Sequence, residues 1–72
     1  MAYKKVGRCL LDRHLKENYM TQLELADKLG VSKQQINKYV LNKQKMSLEV
    51  AGNIAYILNC HVEDLYEWVS GR

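Results

Sequence analysis

The chain contains no proline and no phenylalanine, and only two cysteines and one tryptophan among 72 residues. Without proline, no helix interior is kinked or broken by a missing backbone amide. No apolar run approaches the ~18 residues that a membrane span needs. The opening MAYKKVGRCLL is basic but has neither a sufficient apolar stretch nor a small-residue cleavage site, so no secretory leader is expected. Cys9 and Cys60 lie far apart without the spacing of a disulfide framework. Two buried, reduced thiols behaving as small hydrophobes are expected, as in a cytoplasmic protein. His14 and His61 do not combine with them into the short paired spacings of a structural zinc site, so no metal is expected. A Gly-rich phosphate loop, a nucleophile beside a base and an acid–base pair are all missing. These absences speak against an enzyme and against a cofactor or small-molecule effector.

What remains is enough for one small domain over residues 1–72. Apolar residues make up 47% of the chain, too many for a disordered tail. A core this thin is expected to leave a net stability of roughly 3–5 kcal/mol, unless a partner subunit contributes. The formal net charge is only +3, but it is unevenly spread. Lys28, Lys33, Lys38, Lys43 and Lys45 fall in a stretch that holds no Asp or Glu until Glu49, and acids dominate thereafter. An uninterrupted basic block of this kind suits a polyanion on one face.

Short β-branched runs and apolar spacing point to an all-α domain of five helices. The first is predicted from about Lys4 to Asn18, with Val6, Leu10, Leu11 and Leu15 inward and Arg8, Asp12, Lys16 and Glu17 outward. Thr21-Gln22-Leu23-Glu24 is a capping box that opens a second helix burying Leu25, Ala26 and Leu29, with Met20 placed as a staple. Gly30 closes that helix in the left-handed conformation, and Val31 is expected to bury the turn. Ser32 through Gln35 forms another box, opening a third helix with Ile36 and Val40 inward, Tyr39 half-buried and Asn42 as its stop. Ser47 caps a fourth helix with a stripe of Leu48, Ala51, Ile54, Ala55 and Leu58, ended by Asn59. A short fifth helix, roughly Val62–Val69, is predicted with Leu65, Trp68 and Val69 on one side.

The stretch Thr21–Val40 is the informative one. Two amphipathic helices meet at a glycine turn, and the second presents Lys33, Gln34, Asn37 and Lys38 together by i, i+1, i+4, i+5 spacing. That is a helix-turn-helix, in which one helix braces and the other reads bases in the major groove. Gln and Asn pair bidentately with adenine, and Lys donates to guanine O6 and N7. Sequence-specific binding of double-stranded DNA is therefore the expected function. Lys45 is expected to add a general electrostatic contribution at the phosphates.

With these residues in place the chain resembles the Cro/cI-type (phage-repressor-like) helix-turn-helix family. The resemblance runs from Arg8 to about Trp68 and is carried by Gln22, Ala26, Gly30-Val31-Ser32, Ile36 and the later run SLEVAGNIAYILNCHVEDL. It implies a compact five-helix repressor-like domain from bacteria or their phages, cytoplasmic, and nucleoid-associated when bound. By position, it implies a DNA phosphate held by Gln22 and base edges touched by Lys33, Gln34 and Lys38. Ser32, Gln35 and Asn37 match neighbours that touch bases or phosphates less regularly, and Asn42 and Lys43 match a loop that grips the backbone. Leu15 and Val40 stand where the family often pairs an Arg with a Glu, Asn42 and Met46 where it usually has Gly and Pro, and His61 where Ser or Thr caps the last helix.

A domain this small struggles to bury Trp68 completely. Trp68 with Tyr66 and Val69, joined by Ile57, is therefore expected to form a two-fold homodimer contact, the alternative being a satellite cluster within one monomer. The full expectation is a transcriptional regulator, most simply a repressor, on a palindromic operator. The competing reading is a protein-interaction module, such as an antitoxin or anti-repressor, with or without binding to its own promoter.

Overall fold

Three helices begin where a hydroxyl side chain takes up a free backbone amide. At the start of α2 (Gln22–Leu29) the Thr21 hydroxyl accepts from the Glu24 amide at 3.1 Å, and the Glu24 carboxylate accepts from the Thr21 amide at 2.9 Å. Ser32 does the same for α3 (Lys33–Val40) through the Gln35 amide, and Ser47 for α4 (Leu48–Leu58) through the Val50 amide. Only half of the box expected at Ser32 forms, because the Gln35 side chain donates to Gln44 instead. Stops are equally local: Gly30 (φ 80°) ends α2, Asn59 (φ 56°) ends α4, and Asn42 (φ 63°) follows α3, all left-handed.

These helices sit in a computed structural model that describes residues 3–71. The remaining elements are β1 (Tyr3–Cys9), α1 (Leu11–Glu17), a 3₁₀ turn at Val62–Leu65, and β2 (Tyr66–Gly71). One core joins them, made of Leu11 and Leu15 from α1, Leu25 and Ala26 from α2, Ile36 and Tyr39 from α3, and Ala51, Ile54, Ala55 and Leu58 from α4, closed by Cys9 and Leu65. Tyr39 is buried rather than half-buried, and Cys60 is half-buried where full burial was expected. Two residues expected inside lie outside: Leu48 is 79% exposed in the first turn of α4, and Val31 is exposed in the turn. The Ser47 cap fixes the direction of α4, and its inward stripe then starts one turn later, at Ala51.

The five-helix, all-α expectation is overturned at both ends. Among the described residues there are four α-helices and a two-stranded antiparallel sheet, in which β1 pairs with β2. The predicted first helix is a strand followed by a two-turn helix, and the predicted fifth is one 3₁₀ turn followed by a strand. Val6 and Leu10 do fall at helical spacing, but a helix from Lys4 would carry Gly7 near its start at about 1 kcal/mol. Tyr66, Trp68 and Val69 are residues that suit a pleated strand. Each segment supplies the other's ladder: Lys4 pairs with Ser70, Lys5 with Val69, Val6 with Trp68 and Cys9 with Tyr66. Between Val6 and Cys9 the register slips, setting Gly7 and Arg8 against Glu67 alone. A Cβ on Gly7 would stand 3.2 Å from the Glu67 carbonyl oxygen, so a larger residue here would be tight unless the bulge shifted by a few tenths of an ångström.

Candidate nucleic-acid interface

Close approach of α2 and α3 begins with Ala26, 1% exposed, whose small side chain admits the second helix, and with Leu25 and Ile36, which are fully buried. Gly30 turns the chain between them. The buried face of α3 fixes which residues point away. Lys33, Gln34 and Lys38 are exposed, and Lys33, Gln34 and Asn37 line one open groove of about 430 Å³. Ammonium donors and amides on one helix face, with no acid nearby in sequence, make a surface suited to base edges and phosphates.

Asn37 has a second attachment. Its Nδ2 donates to Gln22 Oε1 at 3.3 Å, and both side chains are half-buried. The residue matched to a phosphate is thus tied to the exposed face of α3 by a side-chain bridge. Ser32 is exposed, but its hydroxyl is engaged in capping α3. Asn42 Oδ1 accepts from the Cys9 amide at 3.1 Å, so the side chain expected at the DNA backbone also pins the end of β1 to the loop after α3. Lys43 and Lys45 are exposed in that loop. Gln44, not singled out by sequence reasoning, accepts from Gln35 Nε2 at 3.1 Å and holds the loop against α3. No local pattern signals either bridge, because each joins residues from different elements.

The four residues expected at a dimer contact are not gathered on one face. Ile57 is half-buried beside Lys28, Leu29, Asn53 and Tyr56. Tyr66 is half-buried, with its hydroxyl accepting from the Met46 amide at 3.0 Å. Strand alternation sends Trp68 and Val69 to opposite faces of the sheet, 46% and 43% exposed. Trp68 Nε1 donates to the Glu63 carbonyl at 2.7 Å, so its polar tip is satisfied within the chain. Among the described residues no group of His, Cys, Asp and Glu is placed to hold a metal, and no helix is long and apolar enough to cross a membrane.

Comparison with known proteins agrees with this geometry. A family model described as a Cro/C1-type HTH DNA-binding domain matches residues 11–71. The chain is 40% identical over 69 residues to the SPbeta prophage-derived uncharacterized HTH-type transcriptional regulator YopS of Bacillus subtilis (strain 168), covering 94% of this chain and 93% of that protein. Among solved structures it is similar to the biofilm master regulator SinR in complex with DNA, with a TM-score of 0.70 at 27% identity over 76% of this chain and 89% of that one. It is also similar to the transcriptional regulator VanUg (Form II), with a TM-score of 0.70 at 29% identity over 94% and 89%. With its braced and exposed helix pair and these relatives, the chain belongs to the Cro/C1-type helix-turn-helix DNA-binding family, not to a family of enzymes.

Proposed function

We propose that the protein is a transcriptional repressor that binds a palindromic operator as a homodimer, with α3 in the major groove. Lys33, Gln34 and Lys38 read base edges, and Asn37 joins them with the polar atoms it does not spend on Gln22. Gln22, Ser32, Asn42, Lys43 and Lys45 hold phosphates. The observation that carries this reading is the exposed Lys33-Gln34-Lys38 face, braced from behind by Ile36 and from the side by the Gln22–Asn37 bridge. The DNA complex of SinR supports duplex DNA as the partner. Repression is the simplest output of a domain of this size, because occupancy alone blocks a promoter. A two-fold pair would set recognition helices about 34 Å apart, on successive major grooves. Ile57, Tyr66, Trp68 and Val69 remain the proposed dimer residues, although they do not share one face. The protein would act in the cytoplasm, on the nucleoid.

Selection of binding sites from a random duplex pool tests the whole reading. The expected product is a pair of inverted half-sites one helical turn apart, occupied at two chains per duplex in sedimentation. Enrichment of a single unrepeated site would remove the dimer, and no enrichment at low salt would remove DNA binding. Trp68→Ala should lower the sedimenting mass if β2 forms the contact.

A further inference from the structure

The bulge in β1 sets Arg8 beside the far end of the recognition helix. Arg8 and Arg13 line one open groove of about 450 Å³ together with Val40, the last residue of α3. Three things hold this corner in place. The Cys9 amide donates to Asn42, the Leu10 amide donates to the Leu65 carbonyl at 2.8 Å, and Gly7 lets β1 approach Glu67 closely enough to bulge. In unbroken alternation Arg8 would share a face with Val6 and lie toward Trp68. The extra residue redirects it, a recognised use of bulges.

Arg8 is exposed and, among the described residues, has no ion-pair partner. Arg13 meets Glu17 at 3.4 Å, with both side chains more than half exposed, a pair that water and salt largely release. Two acids face the same groove. Asp12 meets Lys16 at 3.1 Å in a surface pair of the same kind, so Asp12 and Glu67 are both charges that a phosphate contact must overcome. The Cys9–Asn42 hydrogen bond ties this corner to the loop that carries Lys43 and Lys45.

We infer that Arg8 and Arg13 clamp the DNA phosphate backbone just beyond the C-terminal end of the recognition helix, outside the base pairs that α3 reads. A guanidinium fork matches phosphate oxygens and needs no base identity. The inference rests on the DNA-binding reading above. It adds a contact that depends on the length of the duplex and not on its sequence.

The experiment measures binding of the wild type, Arg8→Gln, Arg13→Gln and the double variant to two duplexes over a salt series. One duplex ends at the selected site, and the other continues several base pairs on each side. On the long duplex each arginine should supply about 0.9 of log–log salt slope, or roughly fivefold in affinity near 0.15 M salt. The double variant on the long duplex should then match the wild type on the short one, and Arg8→Lys should restore most of the slope. Unchanged slopes, or equal losses on both duplexes, would overturn the inference. A wild type that binds neither duplex would remove the DNA reading and this contact with it. Thermal melting of each variant shows that the fold is intact, as expected for exposed side chains.

Discussion

Asn37 donates a hydrogen bond from the recognition helix to Gln22 at the first turn of the bracing helix, 3.3 Å away. On the proposed reading, the bond would couple two jobs that are usually separate, reading bases and holding a phosphate. A net hydrogen bond of this kind contributes about 0.5–1.5 kcal/mol. In a double-mutant cycle on the selected duplex, Gln22→Ala and Asn37→Ala should therefore be non-additive by about that amount. Additive losses would mean that the two side chains act independently once DNA is bound.

Lys43 and Gln34 should fail in different ways. Gln34→Ala should cost roughly 1–3 kcal/mol on the selected site and little on random DNA, changing which base is preferred. Lys43→Ala should weaken all duplexes alike and lower the salt slope by about 1. Competition binding with specific and random duplexes separates the two. Identical profiles would refute this division of labour.

Tyr19 is the costly backbone position. It lies in the left-handed region at φ 53° with its side chain 95% exposed, so packing returns nothing for the strain. Asn42 and Asn59 occupy the same region with a residue type that tolerates it. Relief of about 1–2 kcal/mol of local strain in Tyr19→Gly is partly offset by glycine's extra freedom when unfolded, about 0.5–1 kcal/mol. The variant should melt a few degrees higher, since ~1 kcal/mol moves a domain of this size by roughly 4–8 °C. A lower melting temperature would show that the ring has a structural contact.

Alkaline pH should unfold the protein early. Burial raises the pKa of the Cys9 thiol, of Cys60 with help from Asp64, and of the Tyr66 phenol. The folded state therefore keeps these protons longer than the unfolded chain does. Their stabilising effect is complete below the ordinary values of 9.0 and 10.0 and is lost as pH rises through the raised ones. Melting temperature should stay level to about pH 8.5 and fall above it, and in Tyr66→Phe the decline above pH 10 should be shallower. The same variant leaves the Met46 amide without its acceptor, so it should start from a lower melting temperature at neutral pH.

The middle of the chain was legible because its signals are local. Thr21 with Glu24, Gly30, Ser32, Ser47 and Asn59 each act within about one turn, and the structure uses every one of them. The exposed set on α3 followed from Ile36 facing inward. The two ends misled for the opposite reason. Val6–Leu10–Leu15 and Leu65–Trp68–Val69 imitate helical spacing, while their actual partners lie at the other end of the chain. Strand pairing across that separation leaves little periodic trace in segments of six or seven residues. The double use of Asn42, as a left-handed stop and as the clasp on Cys9, was half visible: its type announced the turn, but its acceptor role required knowing that β1 passes beside it.

Pairing of Tyr3–Cys9 with Tyr66–Gly71 also imposes an order on synthesis. A nascent chain still threaded through the ribosome can assemble α1 to α4, whose partners have already emerged, but β1 has nothing to zip against until β2 has emerged as well. The helix-turn-helix can thus take shape first, with Arg8 set in its bulged position only once β2 pairs with β1.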